Sequence, residues 1–206
     1  KQGCGSAMIK NPEKAKEIIL SAKRGAPNLP ISVKTRIGYN KNELETWLPK
    51  LLEAEPTVVT IHCRTRKEMS KVPARWEHVK RAVEIRNELH SKALIIGNGD
   101  LKDIADAKAK CEETGADGAM LGRAIFGNPW LFSGRVPEST EERLKVLVEH
   151  TFLFEELLGG VKSFALMKKH YKAYVTGFDG AHELRAKLME AENAPQVKAI
   201  VENFLK

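Results

Sequence analysis

Several short stretches of this 206-residue chain carry side chains whose types and spacing could do chemistry. In residues 30–38 the alternation of a strand sets Ile31, Val33, Thr35 and Ile37 on one side and Ser32, Lys34 and Arg36 on the other. Two cations on one strand are costly to bury unless an anion or a ring system receives them. Either they line a site, or the strand is an edge with its charged face in water. His62 ends a second strand-like run and is followed by Cys63-Arg64-Thr65-Arg66. A strand-terminal His can be a hydrogen-bonded structural residue as well as a functional one. Gly97-Asn98-Gly99-Asp100 and Gly122-Arg123 each follow a further strand-like run. Glycines admit a phosphate close to the backbone, helix N-terminal N–H groups donate to it, and Arg supplies charge. Either loop alone is a common strand-to-helix turn; together they point to a phosphorylated ligand.

The remaining candidates are weaker. Cys4 lies between two glycines with no general base beside it in sequence, which suits a small residue in a tight turn. Cys111 falls on a helical stretch and is expected to pack there. Trp47, Trp76 and Trp130 could stack on bases, although a large aromatic near a strand end more often plugs a core. Lys168-Lys169-His170-Tyr171-Lys172 is a basic helical turn with an aromatic inside it. It is either a solvated helix face or a contact for nucleic acid.

These residues need a scaffold, and the hydrophobic periodicity supplies one. Asn11-Pro12 is a helix start, with Asn as N-cap and Pro in the first turn, and Ala15, Ile18, Ile19 and Ala22 recur at helical spacing. Strands are expected at 30–38, 57–63, 93–97 and 118–122, with helices at 43–54, 76–90 and 101–114 between them. Such alternation predicts parallel βαβ units. A doubly wound sheet and a (β/α) barrel both fit, and four units are half of a barrel. In a barrel, active sites sit at the C-terminal strand ends, often with a phosphate site after the last two strands. Beyond Gly127-Asn128-Pro129-Trp130 the strand signal stops. Helices are expected from Ser139 or Thr140 to a Gly159-Gly160 break, then at 163–175, 181–190 and 194–204, a small all-helical domain. The expected organisation is therefore 1–132 and 133–206.

Composition bounds the function. With 42% hydrophobic and 30% charged residues the chain is ordinary globular protein, not a disordered one. Its longest aliphatic run, Ala93-Leu94-Ile95-Ile96, is far short of the roughly 20 residues of a membrane span. No signal peptide is expected in the first residues. Three widely spaced cysteines suggest neither a disulfide framework nor a metal cluster, so a reducing, cytoplasmic location is expected. Residues 133–206 hold eleven basic and eleven acidic groups, so the net charge of +7 falls on residues 1–132. A polyanionic partner would fit that excess.

Taken in order, Lys34-Thr35-Arg36-Ile37-Gly38, His62-Cys63-Arg64-Thr65-Arg66, Asn98-Gly99-Asp100, the stretch Gly115-Ala116-Asp117-Gly118-Ala119-Met120-Leu121-Gly122-Arg123 and Gly127-Asn128-Pro129-Trp130-Leu131-Phe132 resemble the tRNA-dihydrouridine synthase family. The likeness is to the second half of that family's FMN-binding (β/α)8 TIM barrel. Met167-Lys168-Lys169-His170 and Gly177-Phe178-Asp179-Gly180-Ala181 resemble its C-terminal helical domain, where Arg is more usual at Lys168. The resemblance implies reduction of the uridine C5–C6 double bond in tRNA by FMN, itself reduced by NADPH or NADH, in a monomeric full-length enzyme. It implies that Lys34 and His62 contact the isoalloxazine, while Asn98, Gly99, Asp100, Gly122 and Arg123 hold the phosphate and ribityl region. Arg64, Arg66, Lys168, Lys169 and Lys172 are the expected RNA contacts. The family's acid is the Cys of a Gly-Cys-Pro motif, which this sequence lacks. Gly3-Cys4-Gly5-Ser6-Ala7 matches a segment after that motif, so the first four strands and the acid are expected upstream of Lys1, and the chain alone is expected to be inactive. The family's Tyr-x-Gly-x-Ala-Asp-Trp stretch reads here Met69-Ser70-Lys71-Val72-Pro73-Ala74-Arg75-Trp76. Another FMN-barrel oxidoreductase acting on a small molecule, and a non-catalytic tRNA-binding fragment, are the competing expectations.

Overall fold

The computed structural model describes residues 3–135 and 137–206. It divides into two compact units, Lys1–Arg123 and Ala124–Lys206. The first is built on four parallel strands, β1 (Ser32–Arg36), β2 (Val58–His62), β3 (Leu94–Asn98) and β4 (Gly118–Met120), lying side by side in chain order. Helices α1 (Pro12–Gly25), α2 (Leu44–Leu52), α3 (Glu77–Glu88) and α4 (Ile104–Thr114) intervene. Each packs on the next, α1 on α2, α2 on α3, α3 on α4. Asn11 caps α1 as expected, accepting from Lys14 N–H ahead of Pro12; Asp103, three residues into the stretch expected as helix, caps α4 by accepting from Asp106 N–H, and α2 and α3 start without a side-chain cap. Gly115 ends α4 in the left-handed conformation.

The helices cover the sheet face that carries Val59, Ile61 and Ile95, each with no exposed surface, against Leu48, Leu51, Val79 and Ala82. Trp47 donates its indole N–H to Thr35 Oγ1 at 3.0 Å on that side. The register places Lys34 beside Thr60 and Ile96, and Arg36 beside His62, Asn98 and Met120, on the opposite face. That face is open in the row nearest the chain's beginning, where Ser32 and Lys34 are exposed.

Helices α5 (Thr140–Leu158), α6 (Ala165–Tyr174), α7 (Ala181–Glu190) and α8 (Ala194–Phe204) form the second unit, with α5 against α6 and α8, and α7 against α6 and α8. Ser139 is the cap of α5, accepting from Glu142 N–H, which decides between the two expected starts. Leu144, Leu147, Met167, Leu184, Leu188 and Val197 make the core. The boundary falls after Arg123, nine residues before the expected junction. The reason is local. Gly127, at φ +71°, abuts the backbone of Ala173 so closely that a Cβ there would lie 2.5 Å from its carbonyl oxygen, and Phe126 packs edge-on against His170.

Candidate active site

Parallel pairing brings the C-terminal ends of β1–β4 to one edge of the first unit, and the chemistry-bearing residues collect there. Lys34 Nζ donates to Asn98 Oδ1 at 3.0 Å, and Asn98 Nδ2 donates to Met120 O at 2.7 Å, so one amide ties β1 to β4 across the sheet. Arg36 donates to Thr65 O at 3.1 Å. Burial and the neighbouring Arg36 both lower the Lys34 pKa.

Behind this row lies a charged network. Arg64 is buried, at 3% exposure; it donates from Nε to Val72 O at 2.6 Å and pairs with Asp100. Its Nη1 lies 3.2 Å from His62 Nε2. Arg can only donate, so His62 Nε2 accepts and the imidazole proton sits on Nδ1. Burial, together with Arg36, Lys34 and Arg64, lowers the His62 pKa to about 4. The ring is neutral at ordinary pH. Asp100 accepts from Ala74 N–H at 2.8 Å and from Arg123 at 2.7 Å, and these donors, the Arg64 hydrogen bond foremost, hold its carboxyl below the usual range.

The β3–α4 turn is shaped for this. Gly99 stands at φ +135°, where a Cβ would lie 2.7 Å from Ala74 Cβ, and Asp100 at φ +55°. The Trp76 indole lies over Gly97, where a Cβ would meet the ring at 2.2 Å, and donates to Gly99 O at 3.0 Å. Gly122 has open space on its Cβ side, and the Arg123 side chain is 68% exposed, tied at its tip to Asp100. Glycines, an exposed guanidinium and an open face suit an oxyanion and a planar group beside it.

Lys34, His62, Asn98, Gly99, Asp100, Gly122 and Arg123 are thus brought together. Asp100 carries negative charge and faces Arg64, Ala74 and Arg123; its geometry is that of a residue holding Arg123 in place. Arg64, expected as an RNA contact, has its guanidinium bonded inside the protein instead. Arg66 is exposed and lies 5.5 Å over the Tyr39 ring, which also carries Lys10 Nζ at 3.9 Å. On α6, Lys168 donates to Met189 O at 2.7 Å, whereas Lys169 and Lys172 are exposed. Cys63 is fully buried and burial pushes its thiol up to about 12, so it remains protonated. Cys4 is exposed and Cys111 half-buried. Among the described residues no group of acids, histidines or cysteines could hold a metal, and no helix is long and apolar enough to cross a membrane.

Arg36, which its parity with Lys34 had set on the same side of the strand, joins the site row. One contributor escaped the sequence-based expectation. Glu68 shapes the 65–75 loop: Thr65 N–H and Glu68 Oε2 are 2.7 Å apart, Glu68 N–H reaches Thr65 Oγ1 at 3.2 Å, and Arg75 pairs with Glu68. That reciprocal pair is a capping box, legible as Thr65-x-x-Glu68.

Comparison with known proteins follows the same lines. The family model described as dihydrouridine synthase (Dus) matches residues 1–206. A protein of Staphylococcus aureus (strain Mu50) named probable tRNA-dihydrouridine synthase is 39% identical over 99% of this chain and 62% of its own length. One of Staphylococcus epidermidis (strain ATCC 12228) with the same name is 39% identical over 99% and 63%. Probable tRNA-dihydrouridine synthase 2 of Bacillus subtilis (strain 168) is 38% identical over 98% and 62%. The chain spans rather less than two thirds of the length of these relatives. By the match along its whole length, it belongs to the dihydrouridine synthase family.

Proposed function

We propose that the polypeptide carrying these residues reduces uridine to dihydrouridine in tRNA, with FMN as redox cofactor and NADPH or NADH as its reductant. The observation that carries this is the row of Lys34, Arg36, His62 and Asn98 at the strand ends, on the sheet face opposite the one that α2 and α3 cover, with Arg123 after the last strand. The order of the four strands and the single layer of helices fit the second half of a (β/α)8 barrel.

The residues present fit FMN by their donor chemistry. Lys34 and the Nδ1–H of His62 would meet the electron-accepting ring. Arg123, freed from Asp100, with the open Gly122 backbone and Gly99, would hold the phosphate, and Asn98 the ribityl region. Bound FMN supplies the hydride for the C5–C6 double bond. The second requirement is a proton for the other carbon. Cys63 cannot give it, being buried with a thiol raised to about 12; the acid is assigned to the part of the relatives this chain does not span. The chain alone should therefore not turn over. Lys34 Nζ, anchored by Asn98 at 3.0 Å, keeps further N–H bonds that would donate to an electron-accepting ring. His62 gives a hydrogen bond without adding charge. Arg66, Lys169 and Lys172 are exposed cations that would meet RNA phosphates.

The test uses the natural polypeptide, FMN, NADPH and tRNA lacking dihydrouridine, with nucleoside mass spectrometry and flavin absorbance as readouts. Dihydrouridine in the tRNA supports the proposal. Nicotinamide oxidation with free dihydropyrimidine precursors but not tRNA would make the protein a small-molecule oxidoreductase. tRNA binding without flavin retention would make it a non-catalytic binder.

A further inference from the structure

A second site lies wholly within the helical unit. A cavity of about 510 Å³ opens between residues 125–130 and helices α5 and α6, within the size range of small-ligand sites. Phe126, Trp130 and Leu153 supply apolar walls, and His150, His170 and Tyr174 the polar ones. The wall is built rather than loose, because Gly127 seats the 125–130 segment on the backbone of Ala173. The Phe126 and His170 rings meet edge to face at 5.6 Å, and His150 lies 5.2 Å from His170. His150 Nδ1 is 3.0 Å from the Tyr174 hydroxyl, which fixes its ring.

Tyr174 is part of the core, at 3% exposure, but Phe126, Trp130, His150 and His170 are not consumed by it. The bundle closes through Leu144, Leu147, Met167, Tyr171 and Leu184, while Phe126 is 56% and Leu153 45% exposed. Flat rings with hydrogen-bonding edges, half open to water, match what an unstacked nucleobase requires. Charge narrows the ligand. Glu149 lines the cavity and would repel a phosphate placed inside it. Arg135 lies 5.6 Å from the Trp130 ring, and Lys169, next to His170 on α6, is exposed. Neutral ring inside and phosphates outside is the charge pattern of a nucleotide entering base first.

We propose that this cavity is a non-catalytic base pocket: it takes one unstacked base of the RNA, other than the uridine that reacts, against Phe126, Trp130 and His170, with the flanking phosphate at Lys169. This rests on tRNA being the substrate. It assigns the helical unit a grip on base shape, and not only on backbone charge.

The test measures tRNA affinity and flavin retention of the natural polypeptide and of three variants. Phe126→Leu and His170→Leu remove a ring while keeping bulk. Leu153→Trp fills the cavity from an exposed position on α5, so it does not depend on repacking the core. Each should weaken tRNA binding by about 5- to 100-fold, as for loss of one stacked base. Flavin retention should be unchanged, and so should the dependence of log affinity on log salt, because every cation that meets a phosphate is kept. Histidine and Trp130 side-chain NMR signals should shift when tRNA is added. Normal affinity in Leu153→Trp, with tRNA still bound and modified, would overturn the pocket and leave the proposed activity standing. Failure of the unaltered protein to bind tRNA at all would overturn both.

Discussion

The neutral His62 offers a measurement that probes the site without a ligand. Its pKa falls from 6.5 to about 4 through burial first, then through Arg36, Lys34 and Arg64. A lowered folded value means that the unfolded chain takes up the proton first as pH falls. The stabilisation is complete above pH 6.5 and is lost progressively down to about pH 4. The full difference corresponds to at most ~3.4 kcal/mol, and because the half-buried ring keeps solvent contact about 1–2 kcal/mol is expected. His78 and His150 also have values lowered by burial, and Asp100 and Glu68 have values lowered by the hydrogen bonds they accept, so the raw pH dependence is a composite. Comparison with His62→Gln isolates one group, since Gln keeps an acceptor for Arg64 and cannot ionise. Urea unfolding of both proteins at pH 7.5, 6.5, 5.5 and 4.5 gives the difference directly. The advantage of His62 over Gln should shrink by about 1–2 kcal/mol across that range. A difference constant with pH would show that the imidazole titrates normally, and the neutral Nδ1–H donor would have to be abandoned.

Other consequences are open to test. Arg123→Ala should weaken FMN retention by about 1.5–3 kcal/mol, the loss of a charge-assisted bond to phosphate, as read from flavin dissociation constants; an unchanged constant removes the phosphate assignment. Lys34→Ala should lower both flavin retention and the rate of flavin reduction by NADPH, measured by stopped-flow absorbance. Gly97→Ala forces a Cβ into the Trp76 ring and should cost about 1–3 kcal/mol in urea unfolding; unchanged stability would show that the indole does not depend on this seat. Replacing Lys169 and Lys172 by Ala should flatten the salt dependence of tRNA binding by about 0.7–0.9 for each phosphate that is no longer neutralised. Lys168→Ala, which removes a bond to Met189 O, should leave that slope unchanged.

Much of this architecture is local and therefore legible from residues alone. Period-2 alternation assigned Lys34 and Arg36 to one side of β1, and Asn11 and Ser139 announced their helices because a cap needs only neighbours three residues away. The four strand ends that carry Lys34, His62, Asn98 and Arg123 follow from the βα alternation. What alternation cannot show is which cation is free. Arg64 and Arg66 share a strand end and a parity, yet Arg64 is buried because residues 65–75 fold back and offer Val72 O, while Arg66 reaches Tyr39. Lys168 and Lys169 are chain neighbours, but a helix sets them about 100° apart, and only Lys168 meets the carbonyl ending α7. The domain junction moved for a similar reason, since Gly127 finds its partner 46 residues away on α6. The sequence by itself determined the elements, their order and the end of the sheet where chemistry collects, because those depend on contacts within a turn or a strand. The tertiary structure alone decided that Asp100 holds Arg123, that His62 is neutral and that two histidines line a pocket, because charge and burial depend on groups brought together from distant parts of the chain.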